Sequence, residues 1–171
     1  MAKKKRKTRS SKIQEQTVVS KMVYLILTLI FFIVANMYCT DLLLDEMDLG
    51  LRVVNPVFTL RYVQNTGAAF SMLEEYPYAV IILSAVALLV VLIYTINNLS
   101  TLSMKAVFFS SMLMSGIFCN LYERIFLGYV RDFIYLNFVE FPIFNFSDMY
   151  INISVIAIII LLLNKNILKN I

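Results

Sequence analysis

Apolar runs and charged, turn-rich connections alternate four times along this chain. The first two runs, Met22 to Thr40 and about Pro77 to Ile96, carry no charge. The third, Ala106 to Tyr122, lies between Lys105 and Glu123, and the fourth begins near Asp148 and ends at Leu163. Each reaches or approaches the ~20 residues with which a helix crosses a hydrocarbon core. The first is too long for the core of a signal peptide and lacks a small-residue cleavage site, so it is expected to stay in the mature protein. Between the first two runs, Asn55-Pro56 reads as a turn, and Val57 to Gln64, rich in β-branched and aromatic residues, reads as a strand. The pattern predicts an all-α integral membrane protein of four transmembrane helices, with a small extracytoplasmic β-sheet after helix 1.

Composition agrees. Of 171 residues, 60% are hydrophobic and 15% charged, with a mean hydropathy of +0.79. A soluble domain of this size needs far more polar surface. Cys39 and Cys119 fall within apolar runs, where reduced packing residues are expected.

Charge sets the expected orientation. Residues 1–21 form a basic tail, residues 22–163 the membrane domain, and residues 164–171 a second tail. The tails and the segment from Asn97 to Lys105 hold eleven of the fifteen lysines and arginines. The other connections, residues 41–76 and 123–147, hold four arginines and, with Asp148, ten of the eleven acids. By the positive-inside rule both termini are cytoplasmic and those two connections are outside. A basic tail can also address a nucleus or nucleic acid. Beside a membrane span, attraction to anionic lipid is the reading adopted, with no nucleic-acid partner.

The absence of histidine excludes Ser-His and Cys-His nucleophile pairs and removes the usual imidazole metal ligand. The available chemistry is carboxylate chemistry. Asp132 and Asp148 bracket the short connection Phe141-Pro142-Ile143-Phe144-Asn145-Phe146-Ser147 in a chain otherwise built for lipid. Brought together, they would form a shared-proton pair able to activate water against an amide. The plainer reading of Asn145-Phe146-Ser147-Asp148 is a helix cap. Capping does not explain Asp132.

Asn65-Thr66-Gly67-Ala68-Ala69-Phe70 follows the predicted strand. It offers either a surface against which a substrate chain lies, with Asn65 donating to it, or a tight helix-packing site. Asn120, Glu123 and Arg124 share one face at the end of the third helix, as part of a catalytic site or as a polar knot tying helix ends together.

In order, these segments resemble the lipoprotein signal peptidases, the type II signal peptidases of bacteria. The likeness covers about Leu27 to Leu163. It rests on the four-span layout, Asn65 to Phe70, Asn-x-x-acid-Arg at Asn120 to Arg124, Val-x-Asp-Phe at Val130 to Phe133, and Phe-Asn-x-small-Asp at Phe144 to Asp148.

The resemblance implies that Asp132 and Asp148 are the catalytic pair. It also implies that Asn65, Gly67, Ala68, Asn120, Arg124 and Asn145 organise the site or hold substrate. The implied substrate is a diacylglyceryl-modified prolipoprotein, cut before its lipid-bearing cysteine by a monomer in the bacterial cytoplasmic membrane, with the site at the outer face and no metal or cofactor. Arg124 would hold a polar headgroup or neutralise Glu123. The chain departs from the family's Asp-Gln-x-x-Lys at Asn36 to Thr40, from its acid at Glu123, and from its alanine at Ser147. Two other classes stay open: a non-cleaving relative that binds precursors or lipid, which Asn36, Thr40 and the altered run Ser115 to Cys119 would suit, and a small scaffold or transporter, for which intramembrane amides and acids at helix ends would suffice.

Overall fold

A computed structural model describes residues 2–67 and 76–167, with side chains placed at 16–67 and 76–163. The elements in order are helix α1 (Ala2–Asp48), strand β1 (Phe58–Asn65), helix α2 (Pro77–Asn97), helix α3 (Met104–Phe126), strand β2 (Val130–Leu136) and helix α4 (Phe146–Ile167). Each helix contains a stretch long and apolar enough to span a membrane: Gln16–Asp48, Pro77–Asn97, Met104–Phe126 and Phe146–Leu163. The first helix is much longer than its apolar run, continuing about two turns past Thr40 to Asp48. It thus carries Asp41, Asp45 and Glu46 up beside the sheet.

Local signals explain most boundaries. Pro77 opens α2, where a missing N–H costs nothing. Ser103 caps α3, its hydroxyl accepting from the Ala106 N–H at 3.2 Å. Gly128, with φ +84°, ends α3 in a left-handed turn that redirects the chain into β2.

Helix α3 is the hub. Over half of its span, 56%, is buried, against 11% for each of the other three. Its neighbours approach closely because its buried face is small and polar, including Ser110, Ser111, Ser115 and Gly116. A Cβ built at Gly116 would lie 2.6 Å from the Ser147 carbonyl oxygen and 2.9 Å from Ile151 Cγ1. Only glycine permits that distance between α3 and α4. The serine hydroxyls are satisfied within the helix, Ser111 by Phe108 O at 2.7 Å and Ser115 by Met112 O at 2.8 Å.

The sheet has two antiparallel strands, one from each of the connections at that end of the bundle. Leu60 pairs with Ile134, Val63 with Asp132 and Asn65 with Val130, with an irregularity between Leu60 and Val63. Asn55 starts β1 as an Asx turn, its Oδ1 accepting from the Val57 and Phe58 N–H groups at 2.8 and 2.9 Å. The chain after β2 folds back so that Phe144 exchanges backbone hydrogen bonds with Phe133 and Ile134. The fully buried Phe133 then packs edge-on against Phe146, the first residue of α4, with ring centroids 5.1 Å apart. This backbone clasp and aromatic pair fix the strand that bears Asp132 against the helix that bears Asp148.

At the opposite end, Lys21 Nζ donates to the carbonyls of Leu99, Ser100 and Leu102 at 3.1, 3.2 and 2.6 Å. The basic start of the first span is thereby tied to the turn between α2 and α3.

Candidate active site

Asn145 is the centre of the site. It caps α4, and its Oδ1 accepts the Asp148 N–H at 2.9 Å while Asp148 Oδ2 accepts the Asn145 N–H at 3.3 Å. That reciprocal pair is a capping box with Asp148 at its third helical position. The other end of the same side chain, Nδ2, donates to Asp132 Oδ1 at 2.9 Å and to Asn120 Oδ1 at 3.1 Å. Asn120 Nδ2 in turn donates to Asp148 Oδ1 at 2.7 Å, and Asn65 Nδ2 donates to Asp132 Oδ2 at 2.8 Å. The helix cap expected of this segment is present, and the same segment joins Asp148 to Asp132 through the Asn120 and Asn145 amides. One oxygen of Asp148 closes the cap, and the other faces the amide that links it to Asp132.

Asp132 lies on β2, and 2% of its surface is exposed. Burial drives its pKa up to about 7, and the nearby charge of Asp148 adds to the rise. The donors Asn65 and Asn145 and the Arg124 guanidinium oppose it without cancelling it.

Arg124 organises the first turn after β1. Its NH2 group donates to the Gly67 carbonyl at 2.8 Å and its NH1 group to the Asn120 carbonyl at 3.2 Å. Asn65 Oδ1 accepts the Gly67 N–H at 3.0 Å, so the buried Gly67 is held on both sides. Of the sequence-predicted site residues, Asp132, Asp148, Asn65, Gly67, Asn120, Arg124 and Asn145 share this network. Ala68 lies outside the described residues.

Arg124 does not form an ion pair with Glu123. Neighbouring helix residues point about 100° apart, and Glu123 turns to Arg131. Its Oε1 accepts from Arg131 Nε at 2.7 Å and its Oε2 from the Arg131 backbone N–H at 2.8 Å. Arg131 NH1 also reaches Asp41 Oδ1 on α1 at 2.8 Å. The residue before Asp132 is thus pinned to two helices, a role not expected from the sequence. The alternation of Val130, Asp132 and Ile134 with Arg131, Phe133 and Tyr135 was the available signal for the strand. Ser147 and Asn36, two departures from the family pattern, meet each other. Ser147 Oγ donates to Asn36 Oδ1 at 3.3 Å, with both residues buried.

A cleft of about 350 Å³ opens beside Asp148, lined also by Asn65, Ile151, Asn152 and the segment from Phe141 to Phe144. Two larger cavities, of about 560 and 520 Å³, contain neither aspartate.

The sequence model of the Peptidase_A8 family, described as signal peptidase (SPase) II, matches residues 27–164. The chain belongs to this signal peptidase II family. The lipoprotein signal peptidase of Streptococcus thermophilus is 36% identical over 112 residues, covering 66% of this chain and 72% of the relative. That of Fusobacterium nucleatum subsp. nucleatum is 33% identical over 141 residues, covering 81% and 85%. Among solved structures, one described as a bacterial membrane enzyme superposes with a TM-score of 0.72 at 27% identity, over 83% of this chain and 88% of that one. In this signal peptidase II member, the matched region contains both strands and every residue of the polar network.

Proposed function

We propose that the protein is an intramembrane aspartyl endopeptidase that removes signal peptides from diacylglyceryl-modified prolipoproteins, cutting before the lipid-modified cysteine. Asp132 and Asp148 are its catalytic pair. The observation that carries this reading is Asn145, whose one side chain is hydrogen-bonded to Asp132, to Asn120 and to the Asp148 backbone. Family membership supports the reaction, and the carboxylates give it a mechanism.

Two carboxyl groups held together at the edge of a low-dielectric region share one negative charge and titrate as a unit. The ionised member takes a proton from water as the hydroxyl oxygen bonds to the scissile carbonyl carbon. The protonated member hydrogen-bonds the carbonyl oxygen as it gains charge. On collapse of the tetrahedral intermediate the C–N bond breaks, the amine nitrogen takes a proton from the pair, and the signal peptide leaves as a carboxylic acid. Burial of Asp132 suits it to hold the proton in the resting enzyme. Asn65, Asn120 and Asn145 orient the pair without adding charge, and Arg124 with Gly67 sets the edge along which substrate lies.

The enzyme crosses the bacterial cytoplasmic membrane with both termini inside and the site at the outer face, as the distribution of basic residues supports. The network closes within one chain, in keeping with a monomer. Asp132→Asn and Asp148→Asn should each insert normally yet leave a diacylglyceryl lipobox peptide uncut. Full cleavage by either variant would refute the pair.

A further inference from the structure

Asn152 stands one helical turn beyond Asp148 on α4 and lines the same cleft. The large side chains exposed on this part of the helix, such as Met149, Ile153, Val155, Ile156 and Ile159, are apolar and suit lipid. Asn152 is exposed among them, and its amide has no hydrogen-bond partner among the described residues. An unpaired amide facing hydrocarbon is unfavourable. The helix cap at Asn145 is complete without it.

From these observations we infer that Asn152 is a substrate-binding residue. It hydrogen-bonds the backbone carbonyl of the signal segment about two residues before the cleaved bond. The inference rests on the catalytic reading of Asp132 and Asp148. Four residues of helix rise about 6 Å, and an extended chain covers that length in about two residues. A chain whose scissile bond lies at Asp148 and whose signal segment runs toward the bilayer therefore brings that peptide group level with Asn152.

The substrate must be extended there, because a carbonyl inside a helix is already bonded and shielded. Unwinding it beside lipid leaves backbone groups that water does not reach. Asn152 supplies the missing donor, and its own amide gains a partner in the same contact.

The test uses the full chain in lipid-containing micelles and a diacylglyceryl lipobox peptide. Asn152→Leu should raise KM about tenfold, the effect of one lost hydrogen bond, with kcat within about twofold of the parent. Its thermal midpoint should be equal or higher, since leucine suits the site, which separates lost contact from lost fold. Replacing the accepting peptide group by an alkene isostere should cost the parent about the same factor and cost Asn152→Leu nothing more.

Additive penalties, or an unchanged KM, would overturn the inference. So would a penalty that disappears with an ether-linked lipid, because the partner would then be a lipid ester. Cleavage by Asp148→Asn would instead break the catalytic reading, whatever Asn152→Leu does.

Discussion

The two ends of the helix bundle handle their polar groups in opposite ways. At the basic end, a single ammonium group on Lys21 satisfies three carbonyls in the turn between α2 and α3. At the sheet end, three asparagines and a helix cap surround two carboxyl groups, each accepting two hydrogen bonds. A carboxylate has room for about four. The first arrangement gathers three carbonyls of that turn onto one cation, whereas the second leaves about half of the carboxylates' acceptor capacity open among the described residues. One end is built to hold, and the other, on the proposed catalytic reading, to react.

Substitutions can break that contrast, and the largest effect belongs to the aspartates. Exchange of either Asp132 or Asp148 for asparagine should lower the rate of peptide cleavage about a thousandfold or more, within the span of general acid–base effects. Next is Asn145→Ala, which removes the cap and the bridge together. A loss of about 1–2 kcal/mol of stability in denaturant titration should accompany a fall in kcat far larger than the change in KM. If kcat survives, the bridge is only a cap.

A third measurement sharpens the comparison through pH. Asp132 has its pKa raised to about 7, so between the ordinary carboxylate range and about 7 the folded state binds more protons than the unfolded state. This contribution to stability is greatest at acid pH and is lost as pH rises toward about 7. Asp132→Asn should flatten that dependence, and in the parent kcat/KM should decline on the alkaline side as the pair loses its shared proton. A stability curve that rises over this interval in the parent and not in the variant would contradict the assignment. The smallest effect is expected at the other end. Lys21→Met should cost about 1 kcal/mol of stability, since water reaches these partly exposed carbonyls, while leaving kcat unchanged.

Much of this molecule is legible in its sequence because hydrophobicity is a local property. The four spans and β1 follow from runs of residues and their immediate neighbours. Asp132 and Asp148 stand out because acids are costly where a bilayer begins. What escapes is set by distant partners. The second strand carries only a weak signal, because its alternation places a charged residue on each face at Arg131 and Asp132, and β1, its partner, is 67 residues away at the Asn65–Asp132 contact. Pairing Glu123 with Arg124 follows chain order, but the helical rotation between adjacent residues gives Glu123 to Arg131 instead. The change from the family pattern at Asn36 becomes intelligible only beside Ser147, 111 residues later.

The two-stranded sheet draws one strand from the connection after α1 and the other from the connection after α3. Its pairing is non-local, and loop closure must precede it. Asp148, furthermore, arrives only with the last helix. On the proposed catalytic reading, a chain that has inserted only α1 to α3 therefore holds one of the two carboxyl groups, and the pair is assembled when α4 enters the bilayer.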